Sequence, residues 1–190
     1  GVRYEISHPE IINEKGKVDL EFIPSNYKEL TGDKSAMDAI ICFKTADGKD
    51  GFIAIETKYS ENLGTNEASN TDKTIETIRQ LSCFNSDFEE RINKKKTKLT
   101  QIYRNFLLRE RYGLWIGAES YSIVLSPELH PSTDDEVLSV TNEMRPEYKG
   151  KLQSITLESF TNKLISESPE EYAEIFRRFR DRYLSFDRVE

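Results

Sequence analysis

Cysteine and histidine are scarce, with two of each in 190 residues. Cys42 and Cys83 fall in no Cys-x-x-Cys or Cys/His spacing, which removes a zinc cluster and a disulfide framework and leaves both as small core residues of a reducing compartment. His8 and His130 each sit beside a proline with no second ligand near them in sequence, and read as loop histidines rather than a zinc site or a catalytic base. No apolar run approaches the roughly 20 residues of a membrane span, and the start, GVRYEISHPE, has no signal-peptide core. The expected location is the cytoplasm, with no membrane partner. A start without Met points to a processed or truncated terminus, and residues 1–18 are expected to be peripheral to a single domain over 1–190. Positive charge is short as well: 27 Lys and Arg against 34 Asp and Glu leave the chain at -7, the wrong sign for a general nucleic-acid coat. Internal repeats, a Gly-rich phosphate loop, a Ser-His-Asp set and heptads are all missing.

What is present is an acidic and basic constellation between Asp38 and Lys58. Met37 to Phe43 and Phe52 to Tyr59 are apolar, β-branched runs separated by Thr45-Ala46-Asp47-Gly48-Lys49, so a β-hairpin is predicted. The period of two places Phe52, Ala54, Glu56 and Lys58 on one face of the second strand and Ile53, Ile55 and Thr57 on the other. Asp38 joins Glu56 only if the loop has an odd number of residues or a bulge, because a two-residue loop would set Asp38 against Thr57. Gly48 allows such a loop.

Two carboxylates brought together at a strand end repel one another and are poorly solvated, and a divalent cation removes both penalties. Oxygen ligands suit Mg²⁺ or Mn²⁺. A lysine beside the cation can orient water or stabilise charge on a phosphate. The competing explanation is a solvated ion pair between Glu56 and Lys58 at a strand edge; against it, the preceding residues GFIAI look buried, an odd place for idle charge.

Asp38 after Ser35-Ala36-Met37, followed by Ile53-Ala54-Ile55 running into Glu56-Thr57-Lys58, resembles the PD-(D/E)xK nuclease superfamily, with Met37 standing where a proline is usual. IETKYSE, LTQIYRN and FRRFRDRYL further resemble a bacterial family of restriction-endonuclease-like proteins, over nearly the whole chain from about Asp19. The resemblance implies an α/β fold with a restriction-endonuclease-like core, a mixed sheet flanked by helices. It implies that Asp38 and Glu56 ligate Mg²⁺ or Mn²⁺, that the Thr57 carbonyl adds a ligand, and that Lys58 is the catalytic lysine. It also implies a further acidic residue upstream and a glutamine on the helix after the hairpin. Glu21 or Glu10, and Gln101 or Gln80, are the candidates, with Glu21 and Gln101 preferred.

Beyond Lys58, Ser60 to Asp72 reads as a polar loop beside the site. Ile75, Ile78 and Leu81 mark a helix capped by Asn70 or Thr71. A stronger helix is predicted from about Thr97 to Tyr112, ended by Gly113. The basic run Arg91 to Lys98, extended by Arg104, Arg109 and Arg111, reads equally as phosphate contacts or as a solvated balance to Asp87, Glu89 and Glu90. Leu114–Gly117 and Ser122–Leu125 are predicted strands, and Asp134-Asp135-Glu136 a solvated loop. Leu157, Phe160, Leu164 and Ile165 mark a helix. Ser168-Pro169-Glu170-Glu171 reads as a capping box with Pro at the first helical position. It opens a last helix whose stripe, Tyr172, Ile175, Phe176, Phe179 and Tyr183, is expected in the core, with Arg177, Arg178, Arg180 and Arg182 left in solvent.

The expected activity is metal-dependent hydrolysis of DNA by in-line attack of water at phosphorus, by a monomer or a homodimer. Two other readings stand beside it: a non-catalytic nuclease-fold module binding nucleic acid or a protein partner, and a phosphodiesterase for a small nucleotide or repair intermediate, recognisable by a closed pocket.

Overall fold

β-Branched and aromatic residues on alternating faces carry the two central strands, β2 (Met37–Lys44) and β3 (Asp50–Thr57). The computed structural model describes residues 18–32, 34–60, 72–93 and 100–185. Around this hairpin, in chain order, lie β1 (Val18–Phe22) and α1 (Tyr27–Leu30) before it, then α2 (Asp72–Leu81), α3 (Phe88–Asn93), α4 (Gln101–Ile116) and β4 (Glu119–Ser126). There follow α5 (Thr133–Asn142), α6 (Pro146–Lys149), β5 (Leu152–Thr156), α7 (Leu157–Glu167) and α8 (Glu170–Tyr183). The sheet runs in the order β1-β2-β3-β4-β5. Its first three strands are antiparallel and β3, β4 and β5 are parallel, as a helical crossover through α4 requires. It is a mixed sheet flanked by helices, the architecture of a restriction-endonuclease-like α/β fold.

The sheet has one thick side and one thin side. On the thick side α2, α3, α4 and α5 enclose a large core around Phe84, Phe88, Phe106 and Leu107, and a second cluster gathers Ile40, Phe52, Leu108 and Tyr112 nearer the hairpin. On the thin side only Ile55, Leu125, Leu157 and Leu184 form a buried cluster, with Ile41, Ile53 and Ile123 half-covered. No helix among the described residues is long and apolar enough to cross a membrane.

Several local expectations are corrected. Leu114-Trp115-Ile116 is no strand but the last turn of α4, which Gly113 does not end; the helix stops at Gly117, whose φ of 69° gives the left-handed cap. Gly113 serves a close approach instead: a Cβ there would lie 2.7 Å from Ser120 Oγ. Asp134, Asp135 and Glu136 occupy the first turn of α5, where carboxylates favour the positive end of the helix dipole. β5, too short to announce itself, was not predicted as a strand. Pro169 caps α8 rather than sitting at its first helical position, and Ser168 ends α7 without capping α8. Only Ala173 of α8 is buried; Tyr172, Ile175 and Tyr183 are exposed and Phe179 is 39% exposed. The helix rests on its Ala173 side, which leaves Phe176 half-buried and swings Tyr172, Ile175, Phe179 and Tyr183 out of the core. The predicted loop between Ser60 and Asp72 and most of the basic run ending at Lys98 lie outside the described residues, as does Glu10.

Arg109, a candidate phosphate contact, is wholly buried. Its Nη1 donates to Glu110 Oε2 (2.6 Å) and to the Ser120 carbonyl (2.5 Å), and its Nε to Ser122 Oγ (3.0 Å). Lys151 Nζ closes the cluster on Glu110 Oε1 at 2.8 Å. Burial pulls the Arg109 guanidinium down to about 10, still charged at neutral pH.

Candidate functional site

The hairpin register decides whether the carboxylates meet. Lys44 pairs with Asp50, leaving the five-residue loop Thr45–Lys49, with Gly48 at φ 85°. The loop is closed by Thr45 N donating to the Lys49 carbonyl at 2.8 Å. An odd loop is the register the acidic pair needed: Ala39 lies against Ile55, so one step further Asp38 stands level with Glu56 on the same face. Asp38 is half-buried, and its Oδ2 accepts from the backbone N–H of Thr57 at 2.7 Å.

Glu56 is buried at the end of an apolar strand and is held from three directions. Lys58 Nζ lies 2.6 Å from Oε1, Gln101 Nε2 donates to Oε1 at 2.7 Å, and Asn105 Nδ2 donates to Oε2 at 2.9 Å. Gln101 and Asn105 are one turn apart on α4, so a single helix face clamps the carboxylate. Lys58 is itself buried; its backbone N–H continues the parallel ladder to the Leu125 carbonyl at 2.7 Å, which fixes its direction just beyond β3. Burial holds the Glu56 carboxyl above its ordinary range; Lys58 opposes this, and the Asp38 and Glu21 charges add to it.

Glu21 belongs to the same row. The β1–β2 ladder pairs Leu20 with Ala39 and Phe22 with Met37, so Glu21 stands level with Asp38 across that pair of strands. Its φ of 52° is the left-handed region, unusual for a glutamate inside a strand. Holding a non-glycine residue there costs on the order of 1–2 kcal/mol. Gln101, not Gln80, reaches the site: Gln80 is exposed and donates to Glu76 of its own helix at 2.8 Å. Asn105 is the residue the sequence reading passed over; its place one turn after Gln101 was the available signal.

Three carboxylates, Glu21, Asp38 and Glu56, are thus aligned across three strands with one lysine among them. The described residues contain no group of three or more His, Cys, Asp or Glu side chains already gathered around a single point. The donor set, two adjacent carboxylates with excess negative charge, fits a hard divalent cation that keeps several of its waters, as Mg²⁺ does. A cavity of about 20 Å³ behind Glu56 is lined by Ala54, Ile102, Asn105, Ser122 and Val124. It has room for about one water, and Asn105 Oδ1, buried and unpartnered among the described residues, borders it. Glu56 and Lys58 are buried, Asp38 is half-buried and Glu21 is exposed, so the row opens to solvent toward β1.

Compared with known families, residues 3–185 match a family model described as the PD-(D/E)XK nuclease superfamily. No curated protein and no solved structure matches the chain.

Proposed function

Because the chain belongs to the PD-(D/E)XK nuclease superfamily, we propose that it is a divalent-metal-dependent nuclease that hydrolyses phosphodiester bonds in DNA, with Asp38, Glu56 and Lys58 as its active site. The observation that carries this reading is Glu56: a buried carboxylate, clamped by Gln101 and Asn105, aligned with two further acids and paired to a single lysine. Clamping fixes the carboxylate before any ligand arrives, and preorganisation of that kind is what electrostatic catalysis needs.

In this reading Asp38 and Glu56 hold Mg²⁺ or Mn²⁺, with the Thr57 carbonyl as a third oxygen and Glu21 as an outlying acid that adds negative field. The cation, when bound, supplies Lewis-acid stabilisation of charge developing on the phosphate. Lys58 presents its ammonium at the edge of the carboxylate row, where it orients the attacking water and meets the scissile phosphate. Water adds to phosphorus in line as the bond to the leaving oxygen breaks. Gln101 and Asn105 keep Glu56 from turning toward Lys58 alone.

The cavity beside Glu56 is far smaller than the roughly 300 Å³ of a typical small-ligand pocket, and the row is exposed at its Glu21 end. Both favour a polymer laid across the surface over an enclosed nucleotide. A second reading, a non-catalytic module that binds nucleic acid or a protein partner, draws on the overall negative charge and on the absence of a preassembled acidic trio among the described residues.

The test is calorimetric titration of Mg²⁺ and Mn²⁺ into wild type, Lys58→Ala and Glu56→Gln, alongside cleavage of plasmid and single-stranded DNA. Metal binding by wild type and Lys58→Ala, lost in Glu56→Gln, with cleavage by wild type alone, is the expected pattern. Equal metal affinity in all three variants sinks the assignment of ligands.

A further inference from the structure

The aromatic stripe of α8 has no place in the fold's core. Tyr172, Ile175, Phe179 and Tyr183 recur at helical spacing on one side of the helix, yet they are 52%, 59%, 39% and 44% exposed. Phe179 and Tyr183 stack on each other with ring centroids 5.2 Å apart. The guanidinium of Arg182 lies over the Tyr183 ring at 5.2 Å. Leaving rings of this size in water is unfavourable, and a cluster of them marks a contact surface.

Two observations say what the surface contacts. The first is position: Tyr59, the residue after Lys58, is 46% exposed and its hydroxyl donates to the Tyr183 carbonyl at 2.6 Å. That bond ties the C-terminal end of the stripe to the end of β3, on the face of the sheet opposite the one where α4 holds Glu56, so a strand lying on α8 meets the carboxylate row by passing round that end. The second is charge. The first half of α8 holds Glu170, Glu171 and Glu174, whereas the second half holds Arg177, Arg178, Arg180 and Arg182 against Asp181 alone. Arg177 and Arg178 are engaged by Glu170 and Glu174, so the positive charge is concentrated at the end that meets Tyr59, around Arg180 and Arg182. Arg180 spends its donors on Asn162 Oδ1 at 3.3 Å and Asp181 at 3.5 Å, both long contacts that a phosphate would replace.

We propose that α8, with Tyr59, is a stacking platform for an unpaired nucleic-acid strand, which it delivers to the carboxylate row. The proposal rests on the nuclease reading and narrows its substrate to single-stranded or partly unpaired nucleic acid. Exposed aromatic rings beside arginines are the combination that holds single strands: each base presents a face to a ring, and the arginines meet the backbone. A fully paired duplex buries its base faces and has nothing to offer Phe179 or Tyr172. The net charge of -7 keeps non-specific duplex binding weak, so stacking becomes the main source of affinity.

The experiment is fluorescence anisotropy of a labelled oligothymidine and of a blunt duplex of equal length, with wild type, Tyr172→Ala, Phe179→Ala and Phe179→Trp. It is run in EDTA so that cleavage plays no part. Wild type is expected to prefer the single strand; each alanine variant weakens that binding about ten-fold and leaves duplex binding unchanged, while Phe179→Trp restores it. Circular dichroism confirms that the variants fold, and sedimentation velocity is run on each. Unchanged single-strand affinity in both alanine variants overturns the proposal. A wild-type dimer that dissociates on Phe179→Ala also overturns it, by giving the stripe to a second copy of the chain. Because the binding assay holds no metal, single-strand binding without any cleavage under Mg²⁺ would count against the nuclease reading and leave the platform standing.

Discussion

Two buried polar clusters lie along the same helix and are finished to different degrees. Gln101, Asn105, Arg109 and Gly113 succeed one another at four-residue steps on the sheet-facing side of α4. The first two clamp Glu56, and the second two meet Ser120 and Ser122 of β4. Around Arg109 the charges are balanced: Glu110 is shared by Arg109 and Lys151, and Ser120 and Ser122 accept from Nη1 and Nε, leaving Nη2 buried without a partner among the described residues. Around Glu56 they are open, with three carboxylates for one lysine and Glu56 held above its ordinary range by burial and by its acidic neighbours. A buried cluster whose charges balance needs no counter-ion, whereas one carrying uncompensated negative charge is stabilised when something of opposite sign joins it.

The sharpest way to test that contrast is to remove one cation from each cluster. Lys58→Ala should lower phosphodiester hydrolysis by about two to four orders of magnitude, the usual contribution of a positioned acid–base or electrostatic group. It also takes away the one cation paired to the buried Glu56, so some stability is lost with it in metal-free buffer, but less than in the next variant, because Gln101 and Asn105 still hold the carboxylate. Arg109→Met should do the reverse, since it strands Glu110 in the core with Lys151 as its one cationic partner. A loss of about 3–5 kcal/mol is expected, read by urea unfolding, and activity per folded molecule should be unchanged. Stability loss in the first variant comparable to that in the second would erase the distinction. Gly113→Ala comes next. Alanine in a helix interior ordinarily stabilises by up to about 1 kcal/mol. Here the new Cβ would press on a Ser120 already locked by Arg109, so destabilisation of about 1–3 kcal/mol is expected instead. Asn105→Ala should lower kcat roughly ten-fold with KM held, since it frees one oxygen of Glu56 without touching substrate. The smallest effect concerns the thiols. Burial pushes Cys42 and Cys83 up to about 12, so thiolate is nearly absent at pH 8 and neither should react with a disulfide reagent until the protein is unfolded.

The part of the fold readable in the sequence was the part governed by short-range rules. Period-two alternation gave β2 and β3 within a residue or two, but the register stayed open between a two-residue and an odd loop, and Gly48 only allowed the odd one that aligns Asp38 with Glu56. The α2 and α7 helices followed their apolar spacing. Where the reading went astray, tertiary context outweighed local pattern. Leu114-Trp115-Ile116 has strand-like composition but extends a helix whose stop signal lies at Gly117. The α8 aromatics have core-like spacing, yet the helix docks by a neighbouring side. Arg109 looked like a surface charge because nothing local announces Ser120, Ser122 and Lys151 as its surroundings. At the site, Glu56, Lys58 and Gln101 came together as expected, while Asn105 depended on how α4 lies across the sheet, which only the folded chain reveals.

The clamp on Glu56 also bears on how the protein reaches its native state. Gln101 and Asn105 stand 45 and 49 residues along the chain from the carboxylate they hold. The hairpin can close early through its five-residue turn, but the clamp must wait until the intervening chain has brought α4 against the sheet, and contacts of such long sequence separation form slowly. During refolding, secondary structure in the hairpin should therefore precede any competence to bind Mg²⁺ or Mn²⁺. If Glu56 holds the cation as proposed, a metal-binding signal would report completion of the thick side of the sheet rather than the birth of β3.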